Sequence, residues 1–296
     1  MKPLIFCLSA NNTMGELLLK TNNYEYGEIE IRDFPDEEKY IRFKQSIKNR
    51  DIILLNSLEY PNNKLLTLLL TAETAKTNGA RTIGLCAPYL AYMRQDKIFN
   101  KGEGITSKYF AKLLSNHFDW LVTVDPHLHR FHQLNEIYSI PNIALHSTDN
   151  IARWILNNIN DPLIIGPDSE SKQWAQELAN TTNAPYIVLK KIRHDEHKVE
   201  ISIPKLSNYL TYTPVIIDDI ISTGRTMIET VIQIKKFKIK APVCIGIHGI
   251  FVGNSYDSLL KAGAKEIVTC NTINHKSNKI NVANILDSGI QKQLNH

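Results

Sequence analysis

Short apolar runs rich in β-branched residues alternate with longer stretches of helical spacing along the whole sequence. In the first half, 51–55 reads as a strand, 63–78 as a helix, 81–87 as a strand, 106–116 as a helix and 120–124 as a strand. The second half repeats the style, with strands at 162–166, 185–190, 214–218, 241–247 and 266–270 and helices at 169–182, 226–237 and 255–263. Strands that read as unbroken apolar runs are buried on both faces, and the intervening helices supply the cover. The pattern predicts an α/β protein with mostly parallel sheets flanked by helices.

Pro141 and polar residues over 140–150 divide this pattern in two. The chain has 296 residues, enough for two domains. We therefore expect tandem α/β domains over 1–145 and 146–280, with a C-terminal segment, 281–296, packing back on the first. The halves share little by eye, so a duplication rests on spacing alone. Hydrophobic residues make up 43% and charged residues 22%, which leaves ample material for a core and excludes a disordered or fibrous chain. Thirty-four Lys and Arg against thirty Asp and Glu leave a net charge of +4. That excess is too small to mark a nucleic-acid binder, so anionic ligands must be sought in local clusters.

The apolar run at 1–8 is short and turns polar over 11–13, unlike a signal peptide, and the run at 65–70 is too short to cross a bilayer. Cys7, Cys86, Cys244 and Cys270 each lie in an apolar, strand-like run, at spacings that fit neither a zinc site nor a disulfide framework. A cytoplasmic protein with buried free thiols and no membrane or nucleic-acid partner is expected.

The richest chemical signal is VIIDDIISTGRT at 215–226. An apolar strand ends in Asp218 and Asp219, a short turn follows, and a helix begins near Thr226. Open α/β sheets bind ligands at this end of their strands. The amides of Ser222, Thr223, Gly224, Arg225 and Thr226 can wrap a phosphate at the helix start. Ser222, Thr223 and Thr226 add hydroxyls, and Gly224 permits a positive φ or a close backbone approach. Asp218 and Asp219 then lie below a pentose, able to hold its hydroxyls or a Mg²⁺ bound to them. Neither the P-loop nor the dinucleotide glycine pattern is present.

Three further segments carry chemistry. PYLAYMRQDK at 88–97 follows a predicted strand and offers Arg94 and Lys97 for phosphate charge, with Gln95 and Asp96 for hydrogen bonds. In TVDPHLHR at 123–130, Asp125, His127 and His129 alternate, so they face one side if the chain stays extended. Magnesium prefers oxygen, which makes histidine an imperfect ligand on chemistry alone, and no zinc set is evident. KKIRHDEHK at 190–198 reads by itself as a solvated, charge-dense hairpin.

Taken in order, segments 24–38, 88–107, 122–130, 163–171, 215–226 and 247–255 resemble the ribose-phosphate diphosphokinase (PRPP synthetase) family, the shorter archaeal-type members above all. The resemblance covers nearly the whole chain. It implies two tandem type I phosphoribosyltransferase-like domains. It also implies Mg²⁺-dependent transfer of the β,γ-diphosphoryl group of ATP to O1 of ribose 5-phosphate, releasing AMP. Phe34 would then stack on adenine while Asp36 and Glu38 meet the base or ribose edge, and Arg94, Gln95, Asp96 and Lys97 would bind the rest of ATP. His127 and Asp168 would hold the Mg²⁺ on the ATP phosphates, with His129 packing behind. Lys191 and Arg193 become the catalytic cations of a flap that closes over the transferring group. Asp218, Asp219 and the loop from Ser222 to Thr226 take ribose 5-phosphate. Active sites near subunit contacts in the family imply a homo-oligomer.

The sequence departs from the family pattern in places. Arg225 replaces a common glycine, Ser222 a frequent aspartate, and Ser169 and Glu170 stand where glycines are usual. Ile192 interrupts the basic run of the flap. These changes leave room for a larger ribosyl 5-phosphate acceptor. Two other readings stay open. A phosphoribosyltransferase that consumes PRPP needs only the second-half loop and leaves the Phe34 and Arg94 segments unexplained. A non-catalytic regulatory homologue would be expected to have lost the flap cations or the metal residues.

Overall fold

The computed structural model describes residues 1–295 apart from 9–12, 170, 196–197 and 203–205; for 190–195, 198–202 and 207 it describes the backbone alone. The chain forms two compact units, Met1–His146 together with the chain from Ala283 onward, and Ser147–Val282.

Unit 1 runs β1 (Leu4–Cys7), α1 (Thr13–Leu19), β2 (Glu25–Tyr26), β3 (Ile29–Asp33), β4 (Lys39–Phe43), β5 (Asp51–Leu55), α2 (Asn62–Thr77), β6 (Thr82–Ala87), α3 (Thr106–Ser115), β7 (Trp120–Val124) and β8 (Asn142–Leu145). Six of these strands form one parallel sheet in the order β2-β1-β5-β6-β7-β8, and β3 and β4 form a separate antiparallel hairpin. The central strands bury Ile52, Ile53, Leu54, Leu121 and Val122 completely, as their apolar runs require. Gly84 pairs in register with Trp120, and a Cβ there would lie 2.0 Å from the indole, so glycine is what lets the ring cross β6. The C-terminal helix, Ala283–Leu294, packs on α1, β7 and β8. The Tyr24 hydroxyl donates to Asp287 Oδ1 at 2.7 Å and ties that helix to the loop before β2.

Unit 2 runs α4 (Thr148–Asn158), β9 (Pro162–Gly166), α5 (Lys172–Thr182), β10 (Tyr186–Val188), β11 (Lys190–Asp195), β12 (Lys198–Ser202), β13 (Thr213–Ile221), α6 (Arg225–Lys235), β14 (Val243–Gly249), α7 (Ser255–Ala262), β15 (Glu266–Cys270) and β16 (Asn278–Ile280). Its parallel sheet has the order β10-β9-β13-β14-β15-β16, and β11 and β12 form an antiparallel hairpin. Both units therefore share one strand order and interpose a hairpin at the same point of the chain. Leu163, Ile165, Ile216, Val231, Ile234 and Leu259 join sheet and helices in one core.

Strand β13 does not end at Asp218 as the apolar run suggests. It continues to Ile221, because β14 pairs with it as far as Ile221↔Gly249. The neighbour sets this length, and it places Asp218 and Asp219 within the strand. All four cysteines are free; Cys86, Cys244 and Cys270 are buried, whereas Cys7 is only partly so. Burial pushes the Cys86 and Cys244 thiols well up. Among the described residues no helix is long and apolar enough to cross a membrane.

Candidate active site

In unit 2, the loops after β9, β13 and β14 leave neighbouring strands at one sheet edge. The turn after β13 reaches α6 through Gly224, which sits in the left-handed region at φ 69°. Among the described residues the amides of Thr223, Gly224, Arg225 and Thr226 have no acceptor. A helix start with its first amides unpaired carries partial positive charge and suits a phosphate. The loop after β14 braces this turn: Ile250 and Phe251 both donate to the Ile221 carbonyl, and Val252 donates to that of Ser222, each at 3.0 Å. Ser255, only 5% exposed, has a hydroxyl with no partner among the described residues, and its Cβ lies 3.7 Å from where a Cβ on Gly224 would stand.

Carboxylates crowd the same edge. Burial, then the charges of Asp219 and Asp168, hold Asp218 well above the usual carboxylate range. Asp219 is buried. Asp168 lies in the turn after β9, where its Oδ1 accepts the Ser171 amide at 3.2 Å and its carbonyl accepts the Ser171 hydroxyl at 2.7 Å. Ser171 thus ties a turn that lacks the glycines usual in the resembled family. Gly166 makes this possible, since a Cβ there would lie 2.7 Å from Ser171 Oγ. A hard divalent cation near these carboxylates would relieve their repulsion.

Arg225, expected to touch substrate, has a side chain 85% exposed, and its Nε donates to Glu229 Oε1 at 2.9 Å along α6. Lys191 and Arg193 lie on β11, in register with Ile201 and Val199; their side chains are outside the described residues.

Unit 1 supplies three loops. After β6, Arg94 and Lys97 are exposed, and the Lys97 ammonium stands 4.9 Å from the Phe99 ring centre. The Gln95 carbonyl accepts the Ser107 amide. Asp96 is buried, and both its oxygens accept from Arg130 Nη1, at 2.7 and 3.0 Å. The Arg130 guanidinium also lies 5.6 Å from the Phe99 ring centre. Asp96 therefore orients Arg130, a pairing that sequence reasoning missed because it joins loops after different strands.

After β7, His129 Nε2 lies 3.1 Å from His127 Nδ1, so these two rings come together. Asp125 does not continue the expected extended run. Its backbone is left-handed, its amide donates to the Leu145 carbonyl, and its Oδ1 accepts from His146 Nδ1. The third loop joins β3 to β4. Phe34 is 41% exposed there, with the Arg32 guanidinium 5.1 Å from its ring centre and Tyr40 edge-on at 6.3 Å. The Phe34 amide donates to the Glu38 carbonyl, and Asp36 and Glu38 stay exposed in the turn.

A family model for the N-terminal domain of ribose phosphate pyrophosphokinase matches residues 3–117, and one for the phosphoribosyl transferase domain matches 133–284. The chain is 36% identical over 270 residues to a ribose-phosphate pyrophosphokinase of Saccharolobus solfataricus, across 90% of this chain and 91% of that one. The chain belongs to the ribose-phosphate pyrophosphokinase family. A second member of the family, from Sulfurisphaera tokodaii, is 32% identical, with 94% and 95% of the two chains covered. The crystal structure of a phosphoribosylpyrophosphate synthetase from Mycobacterium smegmatis superposes with a TM-score of 0.87 over 99% of both chains, at 23% identity, which speaks for the shared fold.

Proposed function

We propose that the chain is a ribose-phosphate diphosphokinase, which transfers the β,γ-diphosphoryl group of ATP to O1 of ribose 5-phosphate and yields 5-phosphoribosyl 1-diphosphate and AMP. The observation that carries this reading is the unpaired amide turn at Thr223–Thr226 beside the Asp168, Asp218 and Asp219 carboxylates, in a member of this family.

In unit 2 the 5-phosphate rests on the amides of Thr223 to Thr226 and the hydroxyls of Ser222, Thr223 and Thr226. Asp218 and Asp219 accept from the pentose hydroxyls. In unit 1 Phe34 stacks on adenine, Asp36 and Glu38 meet the nucleoside, and Arg94, Gln95 and Lys97 hold the phosphates. Asp96 contributes through Arg130. The resemblance implies His127 and Asp168 as the residues that would hold Mg²⁺, which would supply neutralising charge to the phosphoryl groups. O1 attacks the β-phosphorus, the bond to the α-phosphate oxygen breaks, and AMP leaves. Lys191 and Arg193 stabilise the charge that shifts onto those oxygens. The enzyme works as a cytoplasmic homo-oligomer.

The test is incubation with Mg²⁺, ATP and ribose 5-phosphate. AMP and 5-phosphoribosyl 1-diphosphate should appear in equal amounts; ADP in place of AMP refutes the diphosphoryl step. Lys191→Ala should bind ATP nearly as before while turnover falls roughly 100-fold. A fully active Lys191→Ala protein removes that residue from the mechanism.

A further inference from the structure

Asp125 is the residue at which the chain leaves β7, and its φ is +36°, a left-handed backbone that side chains other than those of Asn and Asp seldom adopt. Glycine would adopt it freely, yet the chain places a carboxylate there. That carboxylate is 2% exposed, so it needs partners, and the His146 Nδ1 at 3.0 Å is one. The Asp125 amide donates to the Leu145 carbonyl at 2.8 Å. Both bonds therefore run to consecutive residues at the end of β8, the last two residues of unit 1 before the chain crosses into unit 2. On the other side of Asp125 comes Pro126, whose ring fixes its own φ, and then His127. Backbone strain persists where surrounding bonds over-determine it, and such positions cluster at functional sites.

We propose that Asp125 is a positioning residue for the transfer reaction. Its bonds to Leu145 and His146 fix where the loop starts, and the stiff Pro126 carries that placement to His127. Asp125 itself touches neither substrate. The inference rests on the reading of His127 as a ligand of the nucleotide-bound Mg²⁺.

Four variants test it: Asp125→Gly, Asp125→Asn, His146→Ala and His127→Ala. Two readouts apply: the position of the His127 backbone in metal-free crystals, and the Mg²⁺ concentration giving half-maximal rate. Asp125→Gly removes strain and carboxylate together. Its His127 loop should shift from the parent position, and its Mg²⁺ midpoint should rise about 10-fold. Asparagine tolerates the left-handed region and still accepts from His146, so Asp125→Asn should stay within about 3-fold of the parent. His146→Ala, at a side chain 72% exposed, should raise the midpoint by about 3-fold without loss of folding. It decides the matter if Asp125→Gly does not fold. An unmoved loop with a parental midpoint in Asp125→Gly, or in His146→Ala where the glycine variant fails to fold, overturns the proposal. A parental Mg²⁺ midpoint in His127→Ala overturns the ligand reading instead, and the loop position then decides the structural claim by itself.

Discussion

The two units are built on one plan and differ in which turn they leave open. β5 in unit 1 occupies the place that β13 occupies in unit 2, third in its sheet and next after a hairpin. Beyond β5 the turn is bonded to β6 and the loop that follows it. The Asn56 amide donates to the Cys86 carbonyl at 3.0 Å, the Leu58 amide to the Tyr89 carbonyl at 2.9 Å, and Ser57 Oγ accepts the Tyr89 amide at 3.0 Å. Beyond β13 the amides of Thr223 to Thr226 find no acceptor among the described residues. On the proposed reading, anion affinity is not a property of the strand end as such. It depends on whether the turn uses its own donors. The hairpins diverge likewise: the β3–β4 turn presents Phe34 between acids, whereas β11 carries Lys191 and Arg193.

If that contrast is right, the most damaging change is in the open turn. Gly224→Val forces a branched side chain onto a φ of 69° next to Ser255. It should weaken ribose 5-phosphate binding roughly 100-fold while ATP binding, measured by calorimetry, stays near parental. Equal losses for both ligands would break the division of labour between the units. Gly84→Ala tests the frame instead. Its Cβ collides with the Trp120 ring, so thermal unfolding should show a loss of about 1–3 kcal/mol. The Michaelis constant for ribose 5-phosphate should not change.

A smaller effect follows from the crowded carboxylates. The folded protein holds the Asp218 proton more tightly than the unfolded chain does. Its contribution to stability is therefore complete below the ordinary carboxylate range and is lost as pH rises through the elevated folded pKa. Without Mg²⁺, the melting temperature of the parent should fall across that window relative to that of Asp218→Asn, and Mg²⁺ should remove the difference. Parallel melting profiles of the two proteins would show that Asp218 carries no such strain. Least affected is the closed turn: Ser57→Ala should cost about 1 kcal/mol of stability and leave both Michaelis constants alone. A changed constant would mean that the unit 1 turn shares in binding after all.

Much of the frame was legible in the sequence because burial on both faces writes itself as an apolar run. The strands 51–55, 120–124, 162–166 and 266–270 coincide with β5, β7, β9 and β15. The β3–β4 hairpin leaves no such run, since Ile29, Ile31 and Ile41 alternate with charged residues and are only half-buried, whereas the hairpin expected from the charged segment 190–198 forms as β11–β12. Short edge strands such as β2 and β16 depend on a neighbour's register in the same way as the end of β13. In the site, local motifs announced the Gly224 turn and the exposed Phe34. The Arg130–Asp96 and Asp125–His146 pairs were hidden because each joins residues that only the tertiary fold brings together.

The proposed function requires the open turn of unit 2 to seat the sugar phosphate. Amide resonances followed during titration of the Mg²⁺-loaded protein with ribose 5-phosphate test this directly. The signals of Thr223, Gly224, Arg225 and Thr226 should move together and saturate at the concentration that saturates turnover, while those of Asn56 and Leu58 stay still. Stationary Thr223–Thr226 amides at saturating substrate, or movement confined to the unit 1 turn, would contradict it.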